Sequence, residues 1–160
     1  APGAIQEMKT MAILYPNLTG SRSLTSMLQE LRPEDRLEAL AAPHLAQIVM
    51  SEAKWQWCLE GDAGQFIAGM AIIPDLGSKG WLVSYPGAAI TTGLELRPML
   101  RIFKILGQMG VYSELRAWVC HDDPRAIRFA KAFGFVYDCG PATGLSPTGR
   151  DMDLFIWRAT

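Results

Sequence analysis

The chain has only two histidines and three cysteines among its 160 residues, and this scarcity excludes several kinds of chemistry. Cys58, Cys120 and Cys139 are odd in number, widely spaced and without a C-x-x-C pair. A disulfide framework or a zinc knuckle needs paired cysteines at short spacing, so buried free thiols are expected. His44 and His121 belong to no H-x-x-x-H or clustered carboxylate pattern, and no metal site is expected. No G-x-S-x-G elbow presents a serine nucleophile. Long apolar runs are also missing: the longest apolar or small stretch, Ile67 to Ile73, falls far short of the roughly 20 residues of a membrane-spanning helix. The segment APGAIQEMKTM shows no basic stretch followed by an apolar core, so no secretory signal is read there, and a soluble, intracellular chain without a membrane partner is expected.

An excess of charge is lacking too. Fifteen basic against sixteen acidic residues give a formal net charge of -1. No overall field would gather nucleic acid, and direct nucleic-acid binding is not expected. Residues 1–80 hold six Lys/Arg and nine Asp/Glu, and residues 81–160 hold nine and seven; read along the chain, this is too even to point to a partner.

What is present is apolar content, 49% of the chain, enough at this length for one respectable core. Residues 1–23, punctuated by Pro2, Gly3, Pro16, Asn17 and Gly20, read as an extended arm with one short strand at Met11 to Tyr15. Residues 24–160 read as a single domain. Leu24, Met27, Leu28 and Leu31 recur at helical spacing until Pro33 breaks the pattern. The same proline starts a second helix, PEDRLEALAA, whose Glu34 and Asp35 favour the positive helix end and whose Leu37, Leu40 and Ala41 are expected to form its buried face. A third helix follows from His44.

From Lys54 the period switches to two. Lys54 to Leu59 and Gln65 to Ile73, joined by Gly61-Asp62-Ala63-Gly64, read as a β-hairpin, and Trp81 to Tyr85 as a further strand. Leu96, Met99, Leu100, Phe103, Leu106 and Met109 form the stripe of a helix lying across a sheet. Leu115 to Val119 is a strand. The stretch HDDPRAIRFAKAFGF, His121 to Phe135, then has the punctuation of a helix pinned between two strands: Asp123 as cap, Pro124 at the first helical position and Gly134 as a left-handed stop. Phe135 to Asp138 and Asp153 to Trp157 make the last two strands. His121 reads as a solvated loop residue; were it a base, Asp122 or Asp123 would orient it.

The pattern D-x-x-A-I-x-F-x-K-x-x-G-F over Asp123 to Phe135 resembles the N-x-x-A-x-x-(F/L)-Y-x-K-x-G-F segment of the GNAT (Gcn5-related N-acetyltransferase) superfamily. The order of elements from Leu24 to Trp157 is similar as well. The resemblance implies a mixed α/β fold, with a mostly antiparallel central sheet of six to seven strands and four to five flanking helices. It also implies where chemistry would lie. Acetyltransferases of this kind carry a (Q/R)-x-x-G-x-(G/A) loop after the fourth strand, whose backbone N–H groups cradle the pyrophosphate of acetyl-CoA. This chain has Pro86-Gly87-Ala88-Ala89-Ile90-Thr91-Thr92-Gly93 there, with other glycine spacing and no Lys or Arg between Lys79 and Arg97. If the loop binds cofactor, Gly87, Ala88, Ala89, Thr91, Thr92 and Gly93 hold it. The tyrosine that usually protonates the departing thiolate is replaced by Ala130. No residue is therefore assigned a catalytic role.

Three segments, Leu31 to Ala39, Gly80 to Ser84 and Leu115 to Phe135, are similar to the small GNAT-like virion assembly proteins of T7-type short-tailed bacteriophages. That resemblance implies a non-enzymatic structural or assembly protein without cofactor. It would be assembled in the host bacterial cytoplasm, incorporated in the virion, and bound in several copies to other virion proteins. The alternative is an acyl-CoA-dependent N-acetyltransferase with a diverged phosphate loop. Met8, Met11, Leu14 and Tyr15 of the arm are the candidate contact residues, because an extended apolar segment can add to a sheet edge. Of the five tryptophans, Trp55 and Trp57 share a strand face expected to lie in the core.

Overall fold

The computed structural model describes residues 12–90 and 96–159. In chain order the elements are β1 (Ile13–Tyr15), α1 (Leu24–Gln29), α2 (Pro33–Ala41), α3 (His44–Glu52), β2 (Trp55–Glu60), β3 (Phe66–Pro74), β4 (Lys79–Pro86), α4 (Arg97–Met109), β5 (Glu114–Cys120), α5 (Pro124–Ala132), β6 (Val136–Ala142) and β7 (Met152–Arg158). The strands form one sheet in the order β1-β2-β3-β4-β5-β7-β6. Every neighbouring pair is antiparallel except β4 with β5. The mixed α/β architecture expected from the sequence is present, with seven strands and five helices among the described residues.

The sheet has a core on each face. On β3, Ala68, Met70 and Ile72 look one way, toward Met99, Phe103 and Leu106 of α4 and Ala130 of α5, while Ala71 packs with Met27 and Leu28 of α1 and with Ala46 and Val49 of α3. Period-two alternation in a central strand thus feeds two helical layers. Trp57 and Trp55 both lie on the α4/α5 side, Trp57 buried and Trp55 packed against it, as alternation requires. Phe103 is the hub of that side: its ring meets Trp57, Phe133, Phe135 and Trp157 edge-on at 5.1 to 6.2 Å, geometry favoured by the aromatic quadrupole.

The punctuation of α5 is realised as written. Asp123 Oδ1 accepts from the Arg125 and Ala126 amides, both at 3.1 Å, Pro124 opens the helix, and Gly134 follows it with φ +87°. Helix α4 stops at Gly110, also left-handed, with φ +67°. β6 runs further than expected, through Gly140 and Pro141 to Ala142; it is an edge strand, where a missing donor is tolerated.

Helix α2 corrects the sequence reading. Leu37 and Leu40, expected to face the core, are 65% and 61% exposed, and Ala41 is exposed too. No residue of α2 is fully buried. The helix is fastened instead through polar side chains. Arg32, 5% exposed, donates from Nε to Asp35 at 2.6 Å and from Nη2 to Asp123 at 3.1 Å. Glu38 accepts from the Ser146 hydroxyl at 3.0 Å and from the Thr148 amide at 3.3 Å. The helix is therefore turned with its ionic side inward.

Candidate functional site

The parallel pair β4–β5 is joined over a short distance only. Lys79, Gly80 and Trp81 pair with Glu114, Leu115 and Arg116, and beyond them the strands part. β4 stays bound to β3 as far as Pro86, and β5 stays bound to β7 as far as Cys120. Their facing edges therefore diverge, and a cleft of about 380 Å³ occupies the gap. Leu82, Val83 and Ser84 line one side, and Ala117, Trp118, Val119 and Cys120 the other. Each facing edge carries backbone N–H and C=O groups without a strand partner across the gap, which suits an extended ligand with amides of its own.

Helix α5 closes one side of the cleft with Ala126, Phe129, Ala130 and Phe133. Ala126 and Ala130, one turn apart, leave room that larger side chains would fill. The other mouth is polar: Arg32, Asp35 and Glu38 of the α2 segment, Asp123 and Ser146 line it. Burial raises the Asp35 carboxyl above its usual range, opposed by the hydrogen bond and charge of Arg32. Trp81 and Trp118, both lining the cleft, stack with centroids 6.1 Å apart.

The structure also locates the loop after β4. The Gly87 amide donates to Ile67 O at 2.8 Å and the Ala88 amide to Glu30 O at 2.8 Å. Of the residues expected to cradle a pyrophosphate, these two have their N–H groups committed to neighbouring carbonyls. An amide already donating inside the protein is not free for an anion in that arrangement. Gly87 is crowded besides: a Cβ there would meet Phe66 O at 2.5 Å and Ile67 O at 2.7 Å. Ala89 is half-buried beside the α4/α5 core. Thr91, Thr92 and Gly93 lie outside the described residues.

Charge is sorted by layer. The two helices on one face, α4 and α5, carry Arg97, Arg101, Lys104, Arg125, Arg128 and Lys131, all exposed, and no acidic residue. On the other face, residues 24–52 hold five acids, Glu30, Glu34, Asp35, Glu38 and Glu52, against Arg32 and Arg36, a local balance of -3. Halves of the chain hid this, because neither half coincides with a layer. A protein close to neutral thus presents one cationic and one anionic side.

The remaining candidates fall elsewhere. His121 is held by Asp153, whose Oδ2 lies 2.9 Å from Nδ1. The expected partners are otherwise engaged, Asp122 with Arg150 at 2.9 Å and Asp123 as the α5 cap. Asp153 is buried, with Oδ1 lacking a hydrogen-bond partner, but neither it nor His121 lines the cleft. Ala130 is buried and offers no proton. Tyr85, Tyr112 and Tyr137 do not line the cleft, and burial pushes Tyr85 up to about 12. Cys120 does line it, with its thiol raised by burial to about 11. Of the arm, Leu14 is exposed and Tyr15 half-buried, on a strand that among the described residues pairs with β2 alone, at the sheet edge; Met8 and Met11 lie outside the described residues. Among the described residues no group of three or more His, Cys, Asp and Glu is placed to hold a metal ion, and no helix is long and apolar enough to cross a membrane.

Solved structures share this architecture. A GNAT family acetyltransferase from Elizabethkingia anophelis with acetyl-CoA bound superposes with a TM-score of 0.63 at 12% identity, covering 92% of this chain and 97% of that one. The ribosomal-protein-S18-alanine N-acetyltransferase from Escherichia coli gives 0.63 at 13% identity, with 94% and 95% covered. Spermidine N-acetyltransferase from Vibrio cholerae, in complex with CoA and spermine, gives 0.59 at 12%, with 92% and 95% covered. No family profile and no curated protein sequence matches the chain. At this identity the likeness fixes the fold: the chain has the GNAT fold over nearly its whole length.

Proposed function

We propose that the protein is an acyl-CoA-dependent N-acyltransferase that binds the cofactor's pantetheine arm between the parted edges of β4 and β5. The observation that carries this reading is the open cleft itself, lined by unpaired strand edges and floored by the small residues Ala126 and Ala130. An extended arm with two amides matches two strand edges that lack each other. The structural neighbours are N-acetyltransferases, and two of those named carry CoA or acetyl-CoA.

The cofactor's phosphates would rely on the exposed cations of α4 and α5 rather than on an amide cradle at Gly87 and Ala88. Point charges at an exposed surface hold an anion less tightly than convergent buried amides and are screened by salt. Affinity is therefore expected to be modest and to weaken as ionic strength rises. The missing tyrosine has a bounded cost. A thiol with a pKa near 8.5 yields a stable thiolate, so a carbon–sulfur bond can break without an acid, at a loss of roughly 10²-fold to 10⁴-fold in rate. Water entering the polar mouth supplies the proton.

A second reading is that of a non-enzymatic virion assembly protein of a bacteriophage acting in several copies through protein contacts; the spent amides of Gly87 and Ala88 and the alanine at 130 favour only its non-enzymatic part. One experiment separates the two. Acetyl-CoA at about 100 times its dissociation constant should add roughly 2.7 kcal/mol of stability, seen as an upward shift in melting temperature, and thiol release should follow when an amine is added. An Arg97→Gln/Arg101→Gln variant should lose most of the shift. An unchanged melting temperature with millimolar acetyl-CoA, and no thiol released across a panel of amines, would leave the assembly reading standing.

A further inference from the structure

The mouth of the cleft that holds Arg32, Asp35 and Glu38 has an apolar part as well, and strand alternation places it. On β4, Leu82 joins the α4/α5 core while Val83 packs toward the α1/α3 core, so Trp81 shares the side of Val83. On β5, Ala117 and Val119 belong to the α4/α5 core, so Trp118 and Cys120 look the other way. Residues of both sheet faces line the one cleft, which therefore passes through the sheet between the parted strands. On the far side from α4 and α5 it opens among exposed apolar groups. Leu45 of α3, Trp118 of β5 and Leu145 of the β6–β7 loop are 43%, 41% and 49% exposed, and each lines it. Single exposed apolar residues are ordinary, but here they converge from separate elements on one concave mouth.

The charges at this mouth are already spent. Asp35 and Asp123 share Arg32, Asp123 also caps α5, and Glu38 accepts from Ser146 and Thr148. Each charged side chain that lines the cleft, Arg32, Asp35, Glu38 and Asp123, is thus bonded within the protein. A ligand with several cations would have to break these bonds to be matched. A single ammonium that is to lose its proton and react asks for no lasting counter-ion. The apolar part offers more. Trp81 and Trp118 stack, 17° from parallel, at the fork itself: Trp81 is the last paired residue of β4, and Trp118 lies two residues beyond its partner Arg116. With Trp81 against one side of its indole, Trp118 remains exposed at the mouth. A flat ring laid on an indole gains stacking beyond what its area gives.

We infer that this mouth takes the acceptor, and that the acceptor is a monoamine carried on a short chain from an aromatic ring, the ring lying on Trp118 and the amine reaching into the gap between β4 and β5. The amine's fate rests on the acyltransferase reading. The ring's site rests on the indole pair and the converging aliphatics alone. In the transfer the amine nitrogen bonds the acyl carbon and the carbon–sulfur bond breaks to leave the thiolate. The proton shed by nitrogen passes to water at the same mouth, which returns one to sulfur.

The test is calorimetric titration of the whole protein, alone and with coenzyme A, using phenylethylamine, cyclohexylethylamine and spermidine at fixed pH and ionic strength. Phenylethylamine should bind at least about tenfold more tightly than spermidine, the worth of burying one ring. It should exceed cyclohexylethylamine by about threefold or more; the saturated ring has the larger apolar surface, so only stacking produces that order. Trp118→Leu keeps an apolar side chain, removes the indole, and should abolish the difference between the two rings. Leu145→Ser, at an exposed loop position, should weaken both ring-bearing amines several-fold at an unchanged melting temperature, and it decides the matter where Trp118→Leu fails to fold. Spermidine binding as tightly as phenylethylamine, equal affinity for the two rings, or a ring preference that survives in folded Trp118→Leu would overturn the inference. Acetyl-CoA keeps the two proposals apart. A melting shift with acetyl-CoA but no ring preference sinks this pocket and spares the transferase, whereas a ring preference with no acetyl-CoA shift keeps the pocket and sinks the transferase.

Discussion

Arg32 Nη2 donates to Asp123 Oδ2 at 3.1 Å, joining residues 91 positions apart. The bond ties the start of α2 to the cap of α5 across the mouth of the cleft, with both side chains largely withdrawn from water. A buried charge whose partner is removed costs far more than the pair contributes. Arg32→Met is therefore expected to destabilise the fold by about 3 kcal/mol, leaving Asp35 and Asp123 to repel each other. At Asp123 two variants divide the effect. Asn keeps an oxygen for the Arg125 and Ala126 amides and discards the charge, whereas Ala discards both. The Ala variant should be less stable than the Asn variant by about 1 kcal/mol, the worth of an N-cap. Midpoints of urea unfolding measure all three; an Ala variant as stable as the Asn variant would show that the cap contributes nothing.

The Asp35 carboxyl is raised above its ordinary range, chiefly by burial. Its sign differs from that of a salt-bridged aspartate with a depressed pKa. Between the unfolded value, about 3.9, and the higher folded value, the native state binds more protons than the unfolded chain. The slope of stability against pH is negative for that group in that window, so its contribution falls as pH rises. Asp35→Asn removes this dependence. Unfolding midpoints from pH 3.5 to 7, wild type minus variant, should decline with rising pH and then level; a difference that rises instead would mean that the Arg32 bond outweighs burial.

The elements with local punctuation were legible in the sequence. Asp123, Pro124 and Gly134 set the limits of α5 through bonds and dihedral preferences that reach no further than a few residues. The orientation of α2 was not legible, because its apolar spacing is the same whichever side faces in. What decides it are partners at Asp123, Ser146 and Thr148, the latter two 108 and 110 positions from Glu38. His121 shows the same limit, its partner Asp153 lying on a strand 32 positions away rather than beside it. The cleft is not legible for another reason: β4 and β5 each read as ordinary apolar strands, and nothing in either pattern records that their pairing stops at Trp81 and Arg116. The two charged layers became visible only once each helix had a face.

Gly87 forms an isolated bridge with Leu31 and packs its backbone against Phe66 and Ile67. Its crowding comes from backbone oxygens, which cannot rotate away as a side chain can. Gly87→Ala should cost about 1–3 kcal/mol through overpacking. Because the bridge seats the end of β4, the variant should also weaken acetyl-CoA binding. Ala88→Gly, at an exposed position whose amide bond to Glu30 remains possible, should leave both nearly unchanged. A Gly87→Ala protein with the wild-type unfolding midpoint would show that the loop has another route past β3.

The three thiols should react in an order set by burial and position. Cys58 is fully buried, with its thiol pushed up to about 12, Cys120 is partly buried at about 11, and Cys139 is exposed on the edge strand β6. Because the thiolate is the reacting species, iodoacetamide at pH 8 is expected to modify Cys139 first, Cys120 slowly, and Cys58 only on unfolding. Cys120 lines the cleft while Cys139 does not, which turns the slow step into a footprint. With saturating acetyl-CoA, labelling of Cys120 followed by intact mass in a Cys139→Ser background should slow several-fold, and labelling of Cys139 in the otherwise native chain should not change. Equal Cys120 rates with and without the cofactor would place acetyl-CoA outside the β4–β5 gap, whatever its effect on the melting temperature.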